Sequence, residues 1–379
     1  MCSYIAGVGL TRFGALPQST TLGVMSEAAA AALEDAGLER GDIDGVICGY
    51  STAMPHLMLS AVFGEHFGLK PAYAHALQLG GATGFAMVMA AHLAVLAGAA
   101  RRVLVVAGEN RLTGAGRDAS ISTLAQIGHP LYEVPLGPTV PSYYALLASR
   151  YLYEHDIGER DLAELAVLMR THAAAHPGAH FREPISVEDV LRSRPVSTPL
   201  KLLDCCPVSD GGAAVVVTSE PLGEHCVAIR GAGQAHRHQH VSAMATLTAS
   251  GAGRSSAAAL SAAGVRIQDI GYLAVYDSFT VTLALLLEEI GFAPPGRAGA
   301  LARDGSFSPG GRMPLNTHGR LLSFGHCGVA GAMVHLVEAH LQLTGRAANR
   351  QLAGPALALA HGDGGVLSSH VTLVLSEPG

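Results

Sequence analysis

Residues 32–46 read ALEDAGLERGDIDGV, and residues 259–273 read ALSAAGVRIQDIGYL. Each describes a helix closing in Ala-Gly, a short polar loop containing Asp-Ile, and the start of a strand. The two are offset by 259 − 32 = 227 residues. A second echo follows in each half. Ala91-His92-Leu93 lies in an apolar helix after the glycine-rich stretch Gly80–Gly84, and Ala339-His340-Leu341 lies in a helix after Gly325–Gly331, an offset of 339 − 91 = 248. Similar offsets in the same order indicate two copies of one α/β unit.

Short apolar runs at 103–109, 213–219, 226–233, 272–277, 356–362 and 371–377 read as strands of a sheet core, and helical patterns separate several of them. The halves are expected to meet near residues 220–226, giving an N-terminal unit 1–222 and a C-terminal unit 223–379. Residues 111–200 are richer in Pro, Tyr, His and Arg. They read as an insertion of loops and helices lying over the core, where it would shape a substrate entrance.

The 379 residues are 49% hydrophobic and 14% charged, with a net charge of −6. Such a chain has a large core and apolar surface to spare for an oligomer interface. Without a basic face it is no partner for nucleic acid. The six cysteines show no zinc spacing and suit reduced cytosolic thiols. MCSYIAGVGLTRFG at the start reads as strand and turn, without a signal-peptide pattern. Residues 82–100 carry no charge over 19 positions, but their Ala and Gly content and His92 favour a helix buried on all sides over a membrane span. The expected localisation is cytoplasmic.

Three stretches carry a family resemblance: 176–219 (HPGAHFREPISVEDVLRSRPVSTPLKLLDCCPVSDGGAAVVVTS), 275–292 (VYDSFTVTLALLLEEIGF) and 310–346 (GGRMPLNTHGRLLSFGHCGVAGAMVHLVEAHLQLTGR). Together they resemble the thiolase superfamily, in particular its sterol-carrier-protein-x-type, lipid-transfer and retro-aldolase members. The resemblance implies the thiolase fold: two α/β halves in five αβαβα layers, with an insertion in the first half.

It also implies where a site should lie. Thiolases place a nucleophilic Cys in a Cys-x-Ser-Gly pattern at the start of the first central helix. Here Thr83-Gly84 matches Ser-Gly, so Gly81 stands where that Cys would be. A glycine carries no nucleophile, although the helix start can still hold an oxygen anion. Gly325-His326-Cys327 matches Gly-His-Pro, which makes His326 the assisting and oxyanion-holding histidine, with Cys327 an adjacent thiol or a packed small residue. Tyr276-Asp277 stands where thiolases place Asn or His, and Tyr276 is a proton-moving candidate. In His361-Gly362-Asp363-Gly364-Gly365, Gly362 replaces the second catalytic Cys, leaving His361 and Asp363 as acid/base candidates. Gly81, Thr83, Gly325 and Gly364 are the expected thioester-binding positions. Cys205-Cys206 reads as structural. His236, His238 and His240 read as a polar loop more than a metal site.

With both cysteine positions occupied by glycine, covalent acyl transfer is not expected. The leading expectation is non-covalent carbon–carbon cleavage of an acyl-CoA, of retro-aldol or retro-Claisen type. The alternatives are a conventional acetyl-CoA acyltransferase using Cys327, or a non-catalytic acyl-CoA-binding or scaffolding subunit. No permanently bound cofactor is expected beyond the coenzyme A thioester itself. A homodimer and a zinc-ribbon/OB-fold partner subunit follow from the resemblance.

Overall fold

The two repeats adopt the same strand order. The computed structural model describes residues 2–377, apart from the side chains of residues 117, 119 and 120. The first half runs β1 (Ser3–Leu10), α1 (Thr21–Ala36), β2 (Gly45–Gly49), α2 (Leu59–Phe67), β3 (Tyr73–Leu77), α3 (Thr83–Leu96) and β4 (Arg102–Asn110). There follow α4 (Arg117–Ala125), α5 (Val140–His155), α6 (Glu159–Ala174), α7 (Val187–Arg192) and the small strands β5 (Pro195–Ser197) and β6 (Leu200–Lys201), before β7 (Asp210–Thr218) re-enters the sheet. The second half runs β8 (Val227–His236), α8 (Ala252–Ala263), β9 (Tyr272–Val275), α9 (Thr280–Ile290), α10 (Ala298–Arg303), α11 (Val329–Leu343), β10 (Leu357–Gly364) and β11 (Ser369–Ser376).

The strand order is β3-β2-β4-β7-β1-β8-β11-β10-β9. On the first side β7 is antiparallel to β4 and β1, and on the second β11 is antiparallel to β10 and β8. The sides join where Ser3–Ile5 pairs with Val227–Ile229. Thus β1, β2, β4 and β7 correspond to β8, β9, β10 and β11. The quoted repeat is the end of α1 leading to β2, and the end of α8 leading to β9. All six apolar runs lie on strands of this sheet.

Helices α1 and α8 cover the outer faces, while α3 and α11 pack against each other between the two sides. Matching glycines permit the outer contacts. A Cβ on Gly9 would lie 2.5 Å from Ala32 N of α1, and one on Gly233 would lie 2.7 Å from Ala259 N of α8. Any side chain there would push its helix off the sheet.

Two features depart from the sequence reading. Helix α3 is not buried on all sides: Leu93 is 52% exposed, and Met89 and Ala90 are half-buried beside the exposed edge strand β3. No helix among the described residues is long and apolar enough to cross a membrane. The second half also lacks a counterpart of β3. Only a single bridge, Leu273 to Leu315, occupies that place. Asn316 completes it, its side chain accepting from Val275 N at 3.1 Å and donating to Val275 O at 3.0 Å. The missing strand is thus replaced by one residue that holds the end of β9, where Tyr276 begins.

The insertion lies on the second half. Tyr144 of α5 stacks on Phe279 with ring centroids 4.3 Å apart, and Tyr151 donates to Glu288 at 2.6 Å. From α6, Arg170 donates to Ser323 at 3.0 Å, and His172 meets the Asn316 carbonyl at 3.2 Å.

Candidate active site

The loops before the two central helices converge at the carboxyl ends of β4, β9 and β10. Before α3 the chain turns through Leu79–Ala82, with Gly80 at φ +56°. Thr83 staples this turn: its hydroxyl accepts from Leu79 N at 2.7 Å and donates to Gly80 O at 2.6 Å. That hydroxyl is buried and fully used, so its role in the structure is to shape the loop. The turn lies backbone to backbone on Gly364-Gly365, since a Cβ on Gly80 would be 2.6 Å from Gly365 N.

Gly81 faces Tyr276. A Cβ on Gly81 would lie 2.5 Å from Tyr276 Cζ, closer still to its hydroxyl, and 2.5 Å from Asp363 O. The phenol therefore fills the volume that a side chain at position 81 would need. The same trade occurs at the second glycine. A Cβ on Gly362 would lie 2.8 Å from both Cγ and Cε2 of the Phe85 ring.

Tyr276 is 5% exposed, with its N–H bound to His361 O at 3.0 Å. Its hydroxyl is 3.1 Å from His326 Nε2. Gly328 N donates to His326 Nδ1 at 3.2 Å, so Nδ1 is the acceptor and the neutral ring carries its proton on Nε2. His326 then donates to the tyrosine oxygen, and the tyrosine O–H is left to point elsewhere. Burial, aided by the charge of Arg111, brings His326 down to about 3. Burial, then nearby Cys206 and Asp363, pushes the Tyr276 phenol well above its usual value. At neutral pH the pair is phenol and neutral imidazole.

The remaining candidates divide. Cys327 is fully buried and its thiol is pushed well up by burial and Glu109, so it stays protonated. Gly325, at φ +131°, lies against Ser209 and sets the path into His326. His361 lies in a satisfied network with Thr372 at 2.8 Å and His370 at 3.2 Å, and Thr372 in turn meets Ser255 and Ser256 of α8. Strand alternation turns it to the outer face, away from the Gly81–Tyr276 contact.

Asp363 is buried, and burial raises its carboxyl well above the usual range. Tyr144 Oη sits 3.2 Å from Asp363 Oδ2 and 3.0 Å from Gly365 O. One hydroxyl proton cannot serve both acceptors, so a protonated Asp363 donating to Tyr144 satisfies the set. Gly364 lies against Leu79 in the loop contact. His236 and His238 bind separate partners, Ser369 and Val366 O. Among the described residues no group of three or more His, Cys, Asp or Glu is placed to hold a metal.

Two further residues bear on the Tyr276–His326 pair: Arg111, which the sequence does not single out, and Cys206, which it reads as structural. Arg111, just past β4, has a buried Nε with no hydrogen-bond partner among the described residues, and its charge reaches His326, Cys206 and Tyr50. Cys206 is half-buried, its N–H bound to Ser278 O at 3.0 Å, and it is near enough to Tyr276 to influence it. Its thiol is pushed up to about 12 by burial. Nothing local gives either residue this place; only the tertiary fold brings Cys206 near the phenol and the charge of Arg111 near His326.

Residues 3–221 match the family model "Thiolase, N-terminal domain", and residues 233–377 match "Thiolase C-terminal domain-like". The chain belongs to the thiolase family. It is 33% identical over 336 residues to a steroid side-chain-cleaving aldolase from Thermomonospora curvata, covering 83% of this chain and 84% of that one. It is 29% identical over 378 residues to an acetyl-CoA acetyltransferase from Methanothermobacter thermautotrophicus, covering 97% and 98%. Among solved structures it superposes on an Ltp2-ChsH2(DUF35) aldolase with a TM-score of 0.86 at 30% identity, covering 99% of this chain and 98% of that one. This thiolase-family chain thus resembles both acyl-transferring and carbon–carbon-cleaving proteins, and its site geometry bears on which chemistry it can perform.

Proposed function

We propose that this thiolase-family chain is an acyl-CoA lyase that cleaves a carbon–carbon bond by a retro-aldol or retro-Claisen route, without a covalent acyl-enzyme. One observation carries the reading: the Tyr276 phenol occupies the space that a nucleophilic side chain at position 81 would fill. The likeness to a steroid side-chain-cleaving aldolase supports it.

On a β-hydroxyacyl-CoA, the Cα–Cβ electron pair flows into the thioester as the bond breaks and the β-hydroxyl becomes a carbonyl. The Tyr276 oxygen takes the hydroxyl proton as its own O–H proton passes to the enolate, to end on Cα, while His326 Nε2–H stays hydrogen-bonded to that oxygen, so the enzyme ends unchanged. Tyr276, a phenol whose oxygen already accepts from His326, donates to the enolate oxygen as charge develops there. The charge of Arg111, which reaches His326, adds a positive field that favours the enolate.

Thiolysis through Cys327 is disfavoured by a thiol that is buried and held protonated, since the thiolate is the nucleophile. A purely binding role leaves the Tyr276–His326 pair without a use. The chain works as two halves, 1–222 and 223–379, with 111–200 as a lid. It acts on a coenzyme A thioester with no resident cofactor, in the cytoplasm. The unpaired edge of β3, flanked by exposed Leu93, is a template for pairing with a second copy. A zinc-ribbon/OB-fold subunit is a further partner, by analogy with the two-component aldolase it superposes on.

The test is incubation of purified protein with a 3-oxoacyl-CoA plus CoA, and separately with a 3-hydroxyacyl-CoA carrying a bulky β-substituent. Release of an aldehyde or ketone with a shortened acyl-CoA supports the lyase. Thiolysis would replace it with the acyltransferase reading, and CoA-ester binding without turnover with the scaffolding one.

A further inference from the structure

Behind Tyr276 lies a second group of polar side chains that the proposed chemistry does not use. Arg320 is 1% exposed, and among the described residues none of its three nitrogens has a partner in hydrogen-bonding geometry, although the Tyr272 hydroxyl is close enough to act on it. It sits at φ +48°, in the left-handed region, at the start of one π-helical turn spanning Arg320–Phe324. Strain of this kind at a non-glycine residue concentrates at functional positions. His318 and His335 are both fully buried, their rings 6.0 Å apart, and neither ring nitrogen of either has a hydrogen-bond partner among the described residues. The His335 ring is also 6.0 Å from that of Tyr276.

Among the described residues no acid forms a close ion pair with Arg320, although the charges of Asp277 and Glu338 reach it. Asp277 accepts from Leu321 N at 3.1 Å and Leu322 N at 3.5 Å, and its Oδ1 is 3.9 Å from His335 Nε2, too far for a hydrogen bond. Burial pushes its carboxyl well up, against the charge of Arg320, which lowers it. Glu338 is taken by Arg350 at 2.9 Å, Thr317 at 2.6 Å and Gln342 at 3.2 Å. The Tyr272 hydroxyl is 3.2 Å from Thr317.

The inventory is lopsided. A guanidinium brings five N–H donors and no acceptor, and each neutral imidazole adds one of each. Water supplies donors and acceptors equally and leaves the excess donors and the buried positive charge in place. An anion removes both. We infer that Arg320, His318 and His335 form a buried site for a monovalent anion of halide size. Its negative charge, near the phenol, helps keep Tyr276 protonated. The inference stands apart from the proposed reaction, because the orphaned donors are there whatever the chain catalyses.

The probe is bromide. The full chain is exchanged into sodium gluconate and titrated with sodium bromide at constant ionic strength while its melting temperature is followed. Crystals soaked in bromide are measured at the bromine absorption edge. We expect a saturable rise in melting temperature, and an anomalous peak within hydrogen-bonding distance of the Arg320 guanidinium. Arg320→Gln should abolish the rise. His335→Phe keeps Arg320 and tests the site if that variant does not fold; it should weaken bromide binding about tenfold or more. A melting temperature indifferent to bromide in the wild type would overturn the inference, as would scatterers at the site without anomalous signal, or an equal response in His335→Phe.

Discussion

The turn before α3 and the turn before α11 occupy matching places in the two halves, yet they contribute opposite things. The first, Leu79–Ala82, offers backbone alone, and Gly81 makes room. The second carries His326, and its half also supplies Tyr276 from the end of β9. Duplication gives the fold two loops aimed at one place; it does not require both to carry the chemistry. Side-chain volume is traded between them: Tyr276 fills position 81, and Phe85 of the first half fills position 362 of the second. The lesson is that losing two side chains at a site need not empty it.

The contrast breaks most sharply at the phenol. Tyr276→Phe keeps the volume and removes the proton, and should lower turnover of the 3-hydroxyacyl-CoA by about 10²- to 10⁴-fold with an unchanged melting temperature. A loss under tenfold would mean that the phenol is packing, not chemistry. His326→Asn leaves the phenol without its ring donor and should cost about 10²-fold, read in kcat more than KM.

The volume trade itself is tested by unfolding. Gly81→Ala should destabilise by about 1–3 kcal/mol through overpacking. Combined with Tyr276→Ala, part of that cost should vanish in a double-mutant cycle, leaving a coupling of at least about 0.5 kcal/mol. Additive effects would show that the two positions do not compete for space. Gly362→Ala, which meets the Phe85 ring, should also cost about 1–3 kcal/mol while sparing turnover more than Gly81→Ala does.

The smallest effect distinguishes the buried histidines. Burial holds His172, His176 and His370 at about 4 and His326 at about 3, below the unfolded value of 6.5. The unfolded chain therefore takes up protons first. Their contribution to stability is complete above about pH 6.5 and is lost as pH falls through about 4. Asp277 and Asp363 act in the opposite sense, since burial raises both above 3.8. The melting temperature should decline on acidification from pH 6.5. A profile that stays flat to pH 4 in the wild type and also in Asp277→Asn and Asp363→Asn would show that these rings are solvated.

Much of the fold was readable because its signals are local. The six apolar runs and the Ala-Gly/Asp-Ile repeat state strand and helix end within a dozen residues. The edge was not readable: nothing local says that β3 has no partner in the second half, because Leu315 and Asn316 replace a strand through a single bridge. The exposure of Leu93 likewise depends on which neighbours surround α3, not on its composition. At the site, Tyr276, His326 and Gly81 were marked by motifs. Their mutual fit was not, since the Gly81–Tyr276 contact spans the two halves. Arg111 comes near His326, and Cys206 near the phenol, only through the tertiary fold, and no spacing in the chain announces that.

The most direct measurement is intact-protein mass spectrometry after incubation with a 3-oxoacyl-CoA. The phenol-filled position 81 predicts an unmodified mass at every time point, including under rapid quench. An acyl group trapped on sulfur, at Cys206, Cys327 or any other cysteine, would contradict it.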